Sequence, residues 1–243
     1  MNLVYIFDVD GTLTPSRQPI TDEMREFFTQ FTQNNEVYLV SGSDYVKTIE
    51  QLGQDIVEDC VKRSYNCSGN SVWERGMEMY SSSWRLPGEC AVWLERAIIT
   101  SEYPEKTGKH IEHRPGSVNF SIVGRNADLE QRARYVEYDK VTREREKLAD
   151  DFNIQFSHDL NTVATIGGET GIDITEKDSD KRQILKDFSD RTVYFFGDRC
   201  EEGGNDYPLA NAIIQRNRDG DKVFNVAGWQ DTLAELKRLT GRQ

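Results

Sequence analysis

Three short runs of the chain are apolar without interruption, and each stops abruptly on small or acidic residues. Leu3–Phe7 ends at Asp8, Val37–Val40 ends at Ser41-Gly42-Ser43-Asp44, and residues 193–196 (Val-Tyr-Phe-Phe) end at Gly197-Asp198. A run of this length without alternation is the pattern of a strand covered on both faces, as in a parallel sheet. Between the runs the rhythm becomes helical. Thr21 is suited to cap a helix with Asp22 and Glu23 in its first turn, and Met24, Phe27, Phe28 and Phe31 fall on one side of it. Tyr45, Ile49 and Leu52 repeat the pattern after the second run. Ile184, Leu185 and Phe188 mark a helix starting near Lys181, and Trp229, Leu233 and Leu236 mark a last one. This order predicts a doubly wound parallel-sheet α/β core in which Asp8, Ser41 and Asp198 lie at the carboxyl ends of strands, where ligands bind in such sheets.

Residues 81–178 follow a different rhythm. Residues 111–114, the turn Pro115-Gly116, and residues 117–125, with Val118, Phe120 and Ile122 alternating against Asn119, Ser121 and Arg125, predict a hairpin with one apolar and one polar face. The charged stretch 129–152 predicts one long helix, and residues 162–166 and 171–175 alternate as two further strands. The expected organisation is an α/β core of residues 1–80 and 179–243, interrupted by an inserted α+β cap domain over 81–178.

Charge changes the picture next. With 30 Lys and Arg against 42 Asp and Glu, the net charge of −12 sets an overall field that repels nucleic acid and anionic membrane surfaces, so neither is an expected partner. An anionic substrate then needs a local cation pocket or a metal. No run approaches the roughly 20 apolar residues of a membrane-spanning helix. The start of the chain passes straight into the first apolar run without a basic leader, so a cytoplasmic location is expected. The four cysteines show no C-x-x-C spacing and are expected as reduced thiols.

The chemistry concentrates at Asp8-Val9-Asp10-Gly11-Thr12-Leu13, directly after the first run. Two carboxylates two residues apart at such a turn can place one for nucleophilic attack and the other for proton delivery. The motif resembles motif one of the haloacid dehalogenase (HAD) phosphohydrolase superfamily. That resemblance implies that Asp8 forms an aspartyl phosphate and that Asp10 is the general acid and base. Ser41 matches the second motif, a hydroxyl on the phosphoryl oxygens, and Lys181 the third, a cation beside the phosphoaspartate. Gly197-Asp198 with Gly203-Gly204-Asn205-Asp206 resembles the fourth. It implies a Mg2+ site formed by Asp8, the carbonyl of Asp10, and Asp198, with Asp206 in support.

The insert narrows the resemblance. Arg114, Asn119, Arg125 and Arg132, and the stretch 111–125 as a whole, are similar to the substrate-binding cap of the eukaryotic-type phosphomannomutase family. The resemblance to this family runs over nearly the whole chain, including residues 8–18, Gly42-Ser43-Asp44, Gly124-Arg125 and residues 194–206. The resemblance implies that Arg17, Arg114, Arg125 and Arg132 hold phosphate, with Asn119 in the same substrate site and Asp173 on sugar hydroxyls. It also implies interconversion of mannose 6-phosphate and mannose 1-phosphate, a hexose 1,6-bisphosphate activator, and a homodimer through the cap. The chain departs from the family pattern at Gly171, where a serine is usual, and at His110, where a phenylalanine is usual. A Mg2+-dependent sugar-phosphate phosphatase on the same scaffold is the alternative, and a phosphorylatable protein without turnover is a third reading.

Overall fold

The computed structural model describes residues 2–241. In chain order its elements are β1 (Leu3–Phe7), α1 (Asp22–Thr32), β2 (Val37–Val40), α2 (Tyr45–Leu52), β3 (Arg63–Asn66), β4 (Ser71–Glu74), β5 (Met77–Ser81) and α3 (Gly88–Thr100). There follow β6 (Ile111–Arg114), β7 (Ser117–Phe120), α4 (Leu129–Thr142), α5 (Glu144–Phe156), β8 (Thr162–Gly167) and β9 (Gly171–Glu176). A 3-10 segment, Lys181–Phe188, leads into β10 (Thr192–Gly197), α6 (Tyr207–Gln215), β11 (Lys222–Asn225) and α7 (Trp229–Thr240). The chain divides into two compact units, Met1–Ser81 with Ser179–Gln243, and Ser82–Asp178.

In the first unit seven strands form one sheet in the order β11-β10-β1-β2-β3-β4-β5, parallel from β11 to β3. The uninterrupted apolar runs have a direct cause. On β1, Tyr5 and Phe7 join a cluster with Phe28, Phe31 and Leu236 on one side of the sheet, while Val4 and Ile6 join Ile184, Phe188, Leu209 and Ile213 on the other. Both faces of the strand are covered, so neither parity can be polar. Phe7 stacks on Phe196 with ring centroids 4.8 Å apart and meets Phe28 edge-on at 5.4 Å. The Thr21 side chain accepts the Met24 N–H and caps α1 as the sequence predicts. Because β1 has β2 on one side and β10 on the other, the strand order reverses beside it, the position at which open parallel sheets bind ligands.

Two features are not legible in the sequence. The sheet continues past β3 through an antiparallel hairpin, β4 and β5, joined by Arg75 and Gly76 with φ of 46° and 77°. Positive φ at both loop positions is the two-residue hairpin turn that matches strand twist. Every residue of β5 is exposed, so neither parity of its Met-Glu-Met-Tyr-Ser sequence is a buried apolar face. The segment after Lys181 is also 3-10 rather than α-helical, capped by the Asp180 side chain on the Arg182 N–H.

The second unit is a four-stranded antiparallel sheet, β6-β7-β9-β8, with helices on one face. Val118, Phe120, Ile172, Ile174 and Ala164 pack against Cys90, Leu94, Phe152 and Phe156. The opposite face is polar and carries Glu112, Asn119 and Asp173 side by side at one register level. The long helix expected over 129–152 is two helices. Arg143 adopts φ 54°, its N–H bonds Asp139 O at 2.7 Å, and the Asp139 carboxylate then accepts the Arg145 N–H at 2.8 Å. Asp139 thus ends one helix and starts the next, a bend that seats Ala149, Phe152 and Phe156 in the core.

Candidate active site

Asp8 ends β1 and is only 2% exposed. Its backbone N–H continues the sheet ladder to Phe196 O, so the strand itself aims the carboxylate. Oδ1 accepts Lys181 Nζ at 2.5 Å, and Oδ2 accepts Thr12 Oγ1 at 3.2 Å. Lys181, 1% exposed, also donates to Asp206 Oδ1 at 2.6 Å. Asp206 sits just before α6, where its Oδ2 accepts the Arg199 N–H at 3.2 Å. Asp198 follows β10. Oxygens of Asp8, Asp198 and Asp206 all lie within 4.8 Å of one another. Gly11 makes this closeness possible: its φ is +89°, and a Cβ there would stand 2.5 Å from Asp198 Oδ2.

The electrostatics follow from burial and crowding. Burial pushes the Asp8 carboxyl up to about 7, with Asp206 adding to the rise and Lys181 opposing it. Burial and the charge of Asp206 lift Asp198 to about 6. Burial alone would lower the Lys181 ammonium, but Asp206 and Asp8 outweigh it and hold it above its ordinary value. Three carboxylates against one ammonium leave a formal excess of two negative charges. Hard oxygen donors with that excess fit a divalent cation such as Mg2+. Burial and Asp206 push the nearby Cys200 thiol up to about 12, which makes it inert.

Asp10 occupies the same loop, where its carboxylate accepts the Arg17 N–H and Gln51 Nε2, the latter at 3.0 Å. Its side chain is outside the three-carboxylate cluster. Ser41 ends β2, next to β1, and is buried, with its Oγ accepting the Ser43 N–H at 3.0 Å. Thr12 and Gln51 join the site without any role that the sequence pattern alone gives them. Thr12 lies inside the Asp8–Leu13 motif, next to the strand end that carries Asp8. Gln51, in the last turn of α2, has no local signal because it meets Asp10 across 41 positions.

On the polar face of the second unit, Arg114 and Arg125 converge on one carboxylate. Their Nε–H groups reach Glu112 Oε1 at 2.9 Å and Oε2 at 2.5 Å. Asn119 Nδ2 donates to Asp173 Oδ1 at 2.6 Å, while Asn119 Oδ1 is buried with no hydrogen-bond partner among the described residues. A Cβ at position 171 would stand 2.7 Å from Asn119 Nδ2, so glycine there accompanies the present place of Asn119. Arg132 Nη2 stands 3.8 Å from Glu169 Oε2. Arg17, in the first unit, is exposed.

Residues 24–240 match the family model described as eukaryotic phosphomannomutase. A phosphomannomutase of Arabidopsis thaliana is 34% identical over 246 residues, spanning 98% of this chain and 96% of that one. One of Saccharomyces cerevisiae is 31% identical over 243 residues, spanning 96% and 94%. Among solved structures, the C-terminal domain of C. albicans trehalose-6-phosphate phosphatase superposes with a TM-score of 0.65 at 15% identity, over 99% of this chain and 92% of that one. The IMP-nucleotidase of Plasmodium falciparum does so at 0.64 and 14%, over 98% and 68%. These likenesses place the chain in the HAD fold.

Proposed function

The chain belongs to the eukaryotic phosphomannomutase family, and on that premise we propose that it interconverts mannose 6-phosphate and mannose 1-phosphate through an aspartyl phosphate on Asp8. The observation that carries the chemistry is a nearly fully buried carboxylate at a strand end, with Lys181 on one oxygen and Thr12 on the other.

In the forward step, phosphorylated Asp8 meets mannose 1-phosphate. Asp10 takes the proton of the 6-hydroxyl, the sugar oxygen attacks phosphorus, and the bond from Asp8 to phosphorus breaks. The product is mannose 1,6-bisphosphate and free Asp8. After the bisphosphate turns end for end, Asp8 attacks the 1-phosphoryl group, Asp10 returns the proton to the departing sugar oxygen, and mannose 6-phosphate leaves. Lys181 offsets charge on the phosphoaspartate, and the Ser41 hydroxyl donates to phosphoryl oxygens. Asp8, the Asp10 carbonyl, Asp198 and Asp206 would hold Mg2+, which when bound offsets the charge between the carboxylates and the incoming phosphate.

In the cap, Arg114, Arg125 and Arg132 bind the phosphate that is not reacting, and Asn119 and Asp173 bind the sugar. Arg17 of the first unit is a further phosphate ligand in this reading. Guanidinium forks suit that work in a chain of net charge −12. The reading extends to a hexose 1,6-bisphosphate as the activator that first phosphorylates Asp8, to a homodimer through the cap, and to a cytoplasmic location. No helix among the described residues is long and apolar enough to cross a membrane.

Phosphorus NMR of the protein with Mg2+, mannose 1-phosphate and a trace of glucose 1,6-bisphosphate tests the reading. Mannose 6-phosphate that forms only with the bisphosphate is the expected result. Inorganic phosphate alone would make the protein the sugar-phosphate phosphatase of the alternative. Sedimentation velocity tests the dimer.

A further inference from the structure

Glu112 lies on β6 at the register of Asn119 on β7, which in turn faces Asp173 on β9, so it belongs to the polar face of the cap sheet. It holds Arg114, two positions away on its own strand, and Arg125, thirteen positions away beyond β7. Side-chain exposure is 23% for Glu112, 15% for Arg114 and 26% for Arg125, which separates this cluster from a solvated surface pair. Both arginines meet the carboxylate through Nε, and a guanidinium has five donors in one plane. Burial would raise the Glu112 carboxyl, but Arg114 and Arg125 outweigh it and hold it down at about 2. Glu112 is therefore held as an anion at neutral pH.

An anion inside a phosphate site has two opposite effects. It lets two like-charged guanidinium groups stand side by side, which fixes where they point. It also subtracts one negative charge's worth of attraction from whatever anion they bind. A mutase that turns its bisphosphate end for end needs both, because arginines that held the phosphate too tightly would prevent the exchange of ends.

We propose that Glu112 is the positioning residue of the cap's phosphate site, clamping Arg114 and Arg125 together while its charge moderates their hold on the sugar phosphate. The inference rests on the reading of those arginines as phosphate ligands. Glu112→Gln keeps the shape and one acceptor oxygen but removes the charge, so phosphate binding tightens. Removing a unit charge several ångströms from the ligand in a partly solvated site changes affinity by about tenfold.

Steady-state kinetics of four proteins test it: the native chain, Glu112→Gln, Glu112→Asp and Arg125→Ala, each with its melting temperature measured. In Glu112→Gln, KM for mannose 1-phosphate and the inhibition constant for inorganic phosphate are expected to fall about tenfold while kcat does not rise. A gain of affinity is not something that loss of structure produces. Glu112→Asp retains the charge and is expected not to tighten; tightening there equal to that of Glu112→Gln would overturn the role of charge. Arg125→Ala is expected to raise KM at least tenfold. If it does not, the arginine reading itself fails; if it does while Glu112→Gln leaves KM unchanged or raised, the inference about Glu112 fails alone. Should Glu112→Gln not fold, Glu112→Ala is measured in its place with the same expected direction and the same overturning result.

Discussion

The ammonium of Lys181 stands 2.5 Å from Oδ1 of Asp8, although 173 positions separate the two residues, and the same nitrogen reaches Asp206 at 2.6 Å. All three side chains are almost completely buried. Removing the cation strands two buried carboxylates, and breaking a buried pair in this way costs about 3–5 kcal/mol. Lys181→Met is expected to lose stability of that order in urea unfolding at about pH 8. The loss is expected to shrink at about pH 5, because carboxyls without their counter-charge take up protons in the folded state.

Magnesium is expected to raise the melting temperature, and to raise it more at about pH 8 than at about pH 6. Burial and the charge of Asp206 push Asp8 up to about 7 and Asp198 up to about 6 in the folded chain, both above the ordinary carboxylate range. The folded state therefore keeps protons that the unfolded chain has released, and its stability falls as pH rises from the ordinary carboxylate range through these values. A cation restores what ionisation removes, and below them it must displace protons. Differential scanning fluorimetry with magnesium and with a chelator measures this, and equal shifts at both pH values would refute it.

Asp10→Asn is expected to lower kcat by about 10²–10⁴-fold, the usual contribution of a positioned acid and base. Gln51→Leu removes one of the two donors described on the Asp10 carboxylate and is expected to lower kcat by about tenfold, with little change in KM. Initial rates, with circular dichroism to confirm the fold, separate these variants from the native chain. A Gln51→Leu enzyme with native kcat would show that the amide does not orient Asp10.

Phe7 is fully buried between Phe28, Phe31 and Phe196, one residue before Asp8. Phe7→Ala is expected to cost about 3–5 kcal/mol in guanidinium unfolding, by lost transfer energy and a residual cavity. Phe27→Ala, on the half-buried edge of the same cluster, is expected to cost less. Similar losses for the two would mean that the sheet relaxes around position 7.

The composition of an element and its periodicity are local properties, and wherever they decided the structure, the reading along the chain matched it. The apolar runs before Asp8, Ser41 and Asp198 became neighbouring strands because covering both faces excludes polar residues from either parity. The alternation around Val118 and Phe120 became a strand of the second unit with one face on helices. The edge strand β5 stayed hidden because it covers nothing, and the break at Arg143 because one aspartate, Asp139, ends one helix and starts the next inside a stretch charged throughout.

The sequence by itself thus determined the apolar strands that end at Asp8, Ser41 and Asp198, the doubly wound core they build, and the place of the Asp8-x-Asp10 turn at a strand end. Only the tertiary structure decided what each charge meets: that Lys181 bridges Asp8 and Asp206, that Gln51 holds Asp10, and that Glu112 gathers Arg114 and Arg125. The reason is physical. Hydrophobic periodicity is written into neighbouring residues, whereas the partner of a buried charge is chosen by desolvation and Coulomb attraction among groups that packing brings together from distant parts of the chain.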